Sequence, residues 1–500
     1  MIRSIALWLM LALLAPAWSE AAERVNLKQA ERFALERNLN LKASDYDARA
    51  SEALVRKGYG IYDPRALASF SEGESRDISN TATTLAEVEV ESRIFDVSLS
   101  QLLPTGAELV AGFANDRART ATNPSPFVNP AYRSEASLSL VQPLLQGFGQ
   151  TVTEQQILFA VQDRHVAVQD LRAQAFALLS QVRDSYYDIL RYRDNLKYRE
   201  TSVALAERIL AENRSRVNAG VLPPIEILEA EVGLTQRERE LLDAQRAYQD
   251  ALDQLAVLLN FPQGVEVGDD ELLAHELLAD EDAGFRAALS KRPDLQQRQR
   301  EIEKLDIERT VNRNQLLPAV DLTARYARKG LGEDYGDDLD SIGSDDLNNW
   351  NIGLSLSYPL GNREARNELR KTELRIKGQQ ARLQQFREEV RNEIRAAVRL
   401  LDVNRKKIEV ARRGRELSEE KLRTLLKRKE VGLATTRDVL EGEDDLARAR
   451  TDQIASLADY NRSVTEYLRV SGLLLETEGV TLVGLPDPEG DEPLLDMQKQ

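Results

Sequence analysis

The sequence offers few side chains of the kinds that usually perform catalysis. It has no Cys and two His, His165 and His275. The absence of Cys excludes thiol nucleophiles, thiolate metal sites, disulfides and a lipid attached to an N-terminal Cys. Carboxylates are abundant, but their spacing places them on helix surfaces, and no Ser-His-Asp set, phosphate-binding loop or metal-ligand cluster occurs. We therefore expect no enzyme activity, no cofactor and no metal.

Two similar stretches nevertheless carry acids at matching positions. They read GVLPPIEILEAE from Gly220 and GLATTRDVLEGE from Gly432, which lies 212 residues later. Glycine often ends a helix, because it adopts the left-handed backbone conformation at low cost. Each stretch is therefore predicted to be the turn of a helical hairpin. The acids lie six and nine residues after each glycine and are Glu226, Glu229, Asp438 and Glu441.

The segments before these glycines are predicted to be very long helices. Residues 150–219 contain no Pro or Gly, and residues 362–431 contain no Pro and two Gly. At 1.5 Å per residue, about 70 helical residues form a rod of roughly 100 Å. Apolar residues recur mostly by threes and fours, which is typical of a coiled-coil seam. A shorter helix is predicted after each glycine, at residues 225–260 and 437–473.

The chain is an internal duplication. The apolar pattern of the long helices matches when the sequence is shifted by 212, so that Val182, for example, meets Ile394. Upstream, FALERNLNL from Phe33 resembles AALSKRPDL at a shift of 254, whereas VQPLL from Val141 resembles SYPLG at a shift of 216. The fall in the shift predicts an insertion of about 38 residues in the first half, between Pro64 and Pro143.

Four segments alternate apolar and polar residues with a period of two. They are GAELVAGFANDR, SLSLVQPLL, PAVDLTARYA and NWNIGLSLSYPL. Segments of about ten residues with one apolar face are typical of membrane β-strands, and a soluble sheet with one wet face is the alternative. Four strands leave open edges, which lipid does not tolerate. If the strands enter a membrane, several chains must share one barrel, and three chains would supply 12 strands, above the roughly eight that closure needs.

The ends of the chain have distinct compositions. The first residues, MIRSIALWLMLALLAPAWSEAAE, combine Arg3, an apolar run and a small-residue cleavage site, which predicts a secretory signal peptide. No other run reaches the roughly 18 apolar residues of a transmembrane helix. The last residues, PDPEGDEPLLDMQKQ, are acidic and predicted to be disordered. The net charge of −16 argues against nucleic-acid binding.

Taken in order, these segments resemble the TolC family of outer-membrane efflux and secretion channels. The resemblance rests on the signal peptide, the duplication, two strands and a rod-length hairpin in each half, and the repeated Gly-x5-[Asp/Glu]-x-Leu turn. It implies a mostly α-helical fold with a β-barrel part. A homotrimer would form a 12-stranded barrel in outer-membrane lipid and a helical tunnel, or α-barrel, across the periplasm.

The resemblance also implies a function and partners. The chain would be the exit duct of a tripartite efflux pump or a type I secretion system. It would work with a periplasmic adaptor and an inner-membrane pump of the RND, ABC or MFS type. The rival hypothesis is a periplasmic coiled-coil structural or adaptor protein that never enters the membrane. The sequence does not identify the transported substrate.

In this family the hairpin tips form the periplasmic entrance and the place where the adaptor docks. The resemblance therefore gives an entrance role to the four acids, with constriction rings of Asp438 and Glu441 and a latch that involves Glu226. A ring of like charges at a narrow mouth draws cations and repels anions. The alternative is a solvated helix start, where the helix dipole favours acids. The predicted docking residues are Gly220, Val221, Leu222, Gly432, Leu433 and Ala434, flanked by Asn218 and Val431.

Three features depart from the family pattern. Ala434 stands where some members carry a latching Arg, and Lys429 stands where some carry Tyr. The insertion around AEVEVESRIFDVSLSQLLPTG alternates like a β-hairpin. We place this extra hairpin at the periplasmic end of the barrel or in its girdle.

The domain boundaries follow from these assignments. The predicted segments are the signal peptide 1–22, an N-terminal helix 23–64, the inserted β-hairpin 65–104, membrane strands and an extracellular loop 105–145, the first helical hairpin 146–265, a linker and helix 266–317, membrane strands and an extracellular loop 318–360, the second helical hairpin 361–474, and the acidic tail 475–500.

Overall fold

The computed structural model describes residues 23–81, 84–121, 126–268, 270–274, 277–344, 347–482 and 495–497. The predicted signal peptide lies outside the described residues. Within those ranges, no helix is both long and apolar enough to cross a bilayer. The chain divides into two compact units. One, the helical unit, comprises the described residues within 1–47, 168–296 and 385–500, and the other, the sheet unit, comprises the described residues within 48–167 and 297–384.

The elements of the first half, in chain order, are β1 (Glu23–Val25), α1 (Leu27–Arg37), α2 (Leu39–Tyr59), β2 (Arg65–Thr81), β3 (Thr84–Leu102), β4 (Glu108–Ala121), β5 (Ala131–Pro143), α3 (Gln150–Thr153), α4 (Gln155–Asn218) and α5 (Ile225–Leu259). Those of the second half are β6 (Val265–Val267), α6 (Glu281–Lys291), α7 (Pro293–Asn314), β7 (Ala319–Lys329), α8 (Tyr335–Ser344), β8 (Asn348–Ser357), α9 (Arg363–Glu430), α10 (Thr436–Val470), α11 (Leu474–Thr477), β9 (Val480–Leu482) and β10 (Leu495–Met497). The fold is mostly helical with a sheet part, as predicted.

The duplication is visible element by element. Helix α4 has 64 residues and α9 has 68, and each is followed by a helix of 35 residues. The paired helices α1–α2 and α6–α7 are broken at Asn38 and Arg292, whose ψ angles are 123° and 122°. Each predicted N-terminal helix is thus two helices, because one extended residue interrupts it.

The predicted coiled-coil seam is buried. Two pairs that match at the shift of 212, Val182 with Ile394 and Ile189 with Leu401, are buried, and none of their side chains is more than 2% exposed. Removing a Val or Ile side chain from water stabilises a fold by about 1.5–3 kcal/mol. Packing of this stripe, rather than helix propensity, therefore holds the long helices in the helical unit.

The sheet unit contains one antiparallel sheet in the order β2-β3-β4-β5-β7-β8. The four predicted strands are present as β4, β5, β7 and β8, paired in that order. The inserted hairpin is β2–β3, and its 17 and 19 residues exceed those of the other strands. In the antiparallel pairs β2–β3, β4–β5 and β7–β8, the first strand ends and the second begins at the same end of the sheet.

The placement of the inserted hairpin requires a correction. β3 pairs with β4 from Glu89↔Ala121 to Leu102↔Glu108, so the hairpin is part of the main sheet. Each chain therefore contributes six strands to this sheet, where four were predicted. The physical reason is the connection: residues 103–107 form a tight turn, closed by bonds of 2.8 Å from Leu103 N to Ala107 O and from Gly106 N to Leu103 O. Such a turn leaves no slack for the hairpin to lie elsewhere.

Two other predicted segments are more ordered than expected. The loop between β7 and β8 contains helix α8, whose Asp338 is fully buried and accepts a hydrogen bond from Ser134 N at 3.0 Å. The predicted disordered tail includes β9 and β10, which pair antiparallel. Buried Leu474, Leu475 and Val480 fix the start of this segment. Residues 483–494 and 498–500 lie outside the described residues.

Candidate functional site

The two hairpin turns end their long helices with the same backbone geometry. Gly220 and Gly432 have φ angles of 74° and 75°, in the region that side chains disfavour. In the first turn, Gly220 N donates to Val217 O and Val221 N donates to Arg216 O, both at 2.9 Å. The second turn repeats both bonds, from Gly432 N to Lys429 O and from Leu433 N to Arg428 O. This pair of bonds is the Schellman motif, and it supports the glycine C-cap prediction at both positions.

The residues predicted to dock an adaptor lie on these turns. Val221, Val431 and Leu433 are 69%, 70% and 68% exposed, and Asn218 is exposed as well. Leu222 and Ala434 are half-buried. In the single chain, both turns therefore expose aliphatic side chains. The backbone that carries these side chains is held rigid by hydrogen bonds.

The first turn of α10 has a capping box made by Thr435 and Asp438. Thr435 N donates to Asp438 Oδ2 at 2.8 Å, and Asp438 N donates to Thr435 Oγ1 at 3.2 Å. The Thr435 hydroxyl also donates to Asp438 Oδ2, at 2.9 Å. The bond from the Thr435 backbone, followed by that from its hydroxyl, lowers the pKa of the Asp438 carboxyl. Asp438 remains exposed, as does Glu441 one turn further on.

Glu226, the matching acid of the first turn, makes a different contact. Helix α5 begins after Pro223 and Pro224, and no side chain caps it. Glu226 Oε2 instead accepts a hydrogen bond of 3.3 Å from Thr436 N, at the start of α10. The acid of the first turn thus satisfies a free helix-start amide of the second turn. Glu229 is half-buried on the same helix.

Asn213, which is fully buried on α4, ties all four helices together beside the turns. Its Nδ2 donates to Glu226 O at 2.9 Å and to Thr436 Oγ1 at 2.8 Å. Its Oδ1 accepts from Lys429 Nζ at 3.0 Å. Burial of the Lys429 ammonium lowers the pKa of that group, against the attraction of Glu212 and Glu226. Lys429, at the position where some family members carry Tyr, therefore belongs to the joint between the two hairpins.

A second buried polar cluster links the hairpins further from the turns. Arg237 of α5 and Glu443 of α10 have side chains only 4% and 5% exposed, and Arg237 Nε donates to Glu443 Oε2 at 2.7 Å. Arg237 Nη2 also donates to Asp444 Oδ1 at 2.7 Å. On the other side, Tyr198 OH donates to Glu443 Oε1 at 3.1 Å, and the Ser202 hydroxyl donates to the same oxygen. Sequence reasoning missed this cluster.

The sequence does contain a signal for it. Glu443 lies between Val439 and Leu446 on α10, four and three residues away, and both neighbours are buried. A charged residue in an apolar stripe of a helix is expected to have a buried partner, because an unpaired buried charge is costly. The partner, Arg237, lies more than 200 positions earlier, so the sequence alone could not identify it.

Comparison with known proteins identifies the family. The model of the outer membrane efflux protein family matches residues 84–260 and 285–472, one stretch in each half. These stretches cover well over half of the chain, so the chain belongs to the outer membrane efflux protein family. No curated protein sequence matches the chain.

Solved structures of membrane proteins share this fold, and one of them is an outer-membrane channel. A membrane protein from Pseudomonas aeruginosa aligns with a TM-score of 0.66 and 17% identity, over 90% of this chain and 91% of that one. VceC from Vibrio cholerae aligns with a TM-score of 0.63 and 16% identity, over 89% and 96% of the two chains. The open state of the Neisseria gonorrhoeae MtrE channel aligns with a TM-score of 0.62 and 17% identity, over 91% of each chain. At these identities the likeness establishes the fold.

Together, the family and the fold define the class of protein. The chain is an outer-membrane efflux channel protein of the TolC type, with a helical part that extends into the periplasm. Proteins of this family form trimeric channels that work with pumps and adaptors. The rival hypothesis of a periplasmic protein that never enters the membrane is therefore set aside.

Proposed function

We propose that three copies of this chain form one export conduit, and that its two hairpin turns, repeated three times, form the periplasmic entrance and the docking surface for an adaptor. The observation that carries the proposal is the matched geometry of the turns. Both have the same Schellman motif, and both present aliphatic side chains that are about two-thirds exposed in the single chain. A threefold assembly would present six such turns.

The chemistry of the turns favours a protein partner. Isolated exposed aliphatic residues are common and need no explanation. Here Val221, Val431 and Leu433 lie on rigid turns, so burying them in an interface would lose little conformational entropy. An adaptor that offers small apolar residues would fit this surface. The adaptor then determines the pump, whether of the RND, ABC or MFS type, and thereby the cargo.

The polar joint beside the turns supports a gate at the same place. Asn213, Lys429 and Glu226 hold the first hairpin to the second within one chain through individual hydrogen bonds. Such bonds are worth about 0.5–1.5 kcal/mol each, so a docked partner could offset a few of them. Opening of the entrance would then separate α9–α10 from α4–α5 at this joint.

Site-directed cross-linking tests the docking proposal directly. Because the chain contains no Cys, an introduced Cys is the sole thiol. Leu433→Cys and Val221→Cys, treated in cells with a thiol-to-amine cross-linker, should each capture an adaptor protein that mass spectrometry identifies. Val410→Cys is the matched control, since Val410 is 71% exposed on α9 but lies some six turns before the tip. Capture from Val410 as efficient as capture from the tips would contradict docking at the tips.

A further inference from the structure

The inserted hairpin β2–β3 continues the apolar face of the membrane strands. One row of cross-strand partners crosses the whole sheet and consists of Ala66, Leu99, Ala111, Leu138, Tyr326 and Trp350. Every member is apolar or aromatic, and Leu99, Leu138, Tyr326 and Trp350 are about half or more exposed. The two strands of the hairpin therefore have the same face turned outward as the other four.

The next row, one residue along each strand, faces the other way and is mostly polar. It consists of Arg65, Ser100, Val110, Ser139, Arg325 and Asn351. Alternation of an apolar outer face and a polar inner face is the pattern of a barrel that encloses water. The hairpin follows this pattern in register with its neighbours, so both of its faces match the environments of the barrel.

The part of the inserted hairpin where β2 ends and β3 begins carries charged side chains. Beyond Phe70 and Phe95, its side chains form ion pairs, including Arg93–Glu72 at 2.7 Å and Arg76–Glu89 at 3.0 Å. This part lies toward the same end of the sheet as the β4–β5 and β7–β8 turns. Charged side chains are unfavourable in hydrocarbon but not beyond it. In a barrel, the apolar rows at the end of the hairpin that carries Arg65 and Leu102 would thus cross the bilayer, and the charged part would extend past its surface.

The edges of the sheet determine how copies join. A 12-stranded barrel would require β8 of one chain to pair with β4 of the next, but β4 is already paired on both sides, with β3 and with β5. Among the described strands of this six-stranded sheet, β2 and β8 are the two that pair on one side only. An open strand edge is not tolerated in hydrocarbon. The edge of β8 therefore needs the edge of β2 from another copy.

We propose that all six strands of each chain span the outer membrane and that β8 of one copy pairs with β2 of the next, so that three copies of a six-stranded sheet close a barrel of 18 strands. The number of copies rests on the proposed function. The outward face of the inserted hairpin contacts the hydrocarbon of the outer membrane. Because barrel diameter grows with strand number, this barrel is wider than one of 12 strands.

Disulfide cross-linking between copies tests the seam. Cys is introduced in pairs, with Ala66, Ala68 or Phe70 on β2 combined with Ile352, Leu354 or Leu356 on β8, so that neighbouring registers are covered. Facing residues on adjacent strands have Cβ atoms about 4.5–5.5 Å apart, within reach of a disulfide. We expect covalent dimers and trimers on non-reducing gels of the oxidised membrane protein. The control panel combines the same β8 positions with Ala111 or Phe113 on β4 and should give none.

The outcomes separate this inference from the proposed function. Cross-links from β4 to β8, or a trimer with no cross-links from β2 to β8, overturn the 18-stranded barrel and leave the trimeric conduit intact. A purified protein that is monomeric by light scattering overturns the conduit itself. A variant that lacks residues 65–102 frees the edge of β4, and in that variant alone we expect the β4–β8 pairs to cross-link.

The accessibility of a spin label tests independently which face of the inserted hairpin contacts lipid and which contacts water. A nitroxide on Val97→Cys of β3 should be as accessible to oxygen, and as protected from a water-soluble relaxation agent, as one on Leu354→Cys of β8. Ser98→Cys, whose side chain points to the other face, should show the opposite preference. Equal access of the aqueous reagent to Val97 and Ser98 labels would mean that the hairpin lies outside the bilayer.

Discussion

The two hairpin turns begin alike and then use their acids differently. Both close α4 or α9 with the same pair of backbone bonds. After that, Asp438 bonds to its own cap residue, Thr435, whereas Glu226 bonds to Thr436 of the other turn. The acid of the second turn is therefore bonded within its own turn, whereas the acid of the first turn is bonded to the second turn. An acid at the same spacing can thus be a local cap in one repeat and a link between repeats in the other.

The difference follows from the residue at the N-terminal cap of the helix that carries each acid. Thr435 has a hydroxyl that can accept a bond from the amide three residues later, which makes a capping box possible. Pro224 occupies the corresponding cap position in the first turn and has neither a hydroxyl nor an N–H. Without a local partner, the carboxylate of Glu226 reaches the free amide of the neighbouring helix. The duplication has kept the turn and diverged in its connections.

The largest effect is expected from the buried cluster that holds the two hairpins together. Glu443→Ala would leave Arg237, which is 4% exposed, without its main partner. Breaking a buried ion pair on one side costs about 3–5 kcal/mol, and Asp444 retains one bond to Arg237, so the loss should fall near the lower end of that range. Thermal unfolding of the helical signal in circular dichroism, on protein in detergent, measures the loss as a lower melting temperature.

Two further variants make that measurement decisive. Glu441→Ala changes an exposed acid on the same helix and should leave the melting temperature nearly unchanged. A double change of Arg237→Leu with Glu443→Leu removes both charges and should recover most of the stability. If Glu443→Ala melted at the wild-type temperature, the cluster would not hold the hairpins together.

A smaller effect is expected from the cap that distinguishes the turns. Thr435→Ala removes the hydroxyl of the capping box, a change that costs about 1 kcal/mol at helix starts. Hydrogen exchange of the amides in the first turn of α10, beginning with Asp438, should become faster. Pro224→Ala is the matched change in the first turn and should alter exchange at Ile227 much less, since no side-chain bond is lost there. If both variants accelerated hydrogen exchange equally, the two turns would not differ in how their helix starts are capped.

The same cap predicts a dependence on pH. The pKa of Asp438 is lowered in the folded chain by the Thr435 N–H, so its ionised form stabilises the turn. This contribution is complete above the ordinary carboxyl value of 3.8 and is lost as the pH falls through the lower folded value. Amide protection in the first turn of α10 should therefore decline below that pH in the wild type. In Asp438→Asn it should not change over this range.

Local patterns in the sequence predicted the helices and strands, but the sequence did not identify contacts between residues that are far apart in the chain. The long helices, the glycine caps and the duplication follow from spacing within short windows. Even the Thr435–Asp438 box is readable, as a hydroxyl residue followed three positions later by an acid. The contact from Glu226 to Thr436 is not, because it joins residues 210 positions apart. The inserted hairpin was recognised, but its pairing with β4 depends on a register that only the folded sheet fixes.

The smallest effect is expected where exposed charge acts alone. The prediction that Asp438 and Glu441 form constriction rings stays open, and isosteric neutralisation tests it with little disturbance of the cap. Asp438→Asn with Glu441→Gln should reduce the preference for cations in the reversal potential across a KCl gradient, most clearly at low salt, because screening weakens exposed charges. Glu226→Gln with Glu229→Gln is the matched change and should shift the potential less, since Glu226 is bonded to Thr436. Unchanged selectivity in the Asp438 and Glu441 variant would leave those acids as helix-start residues only.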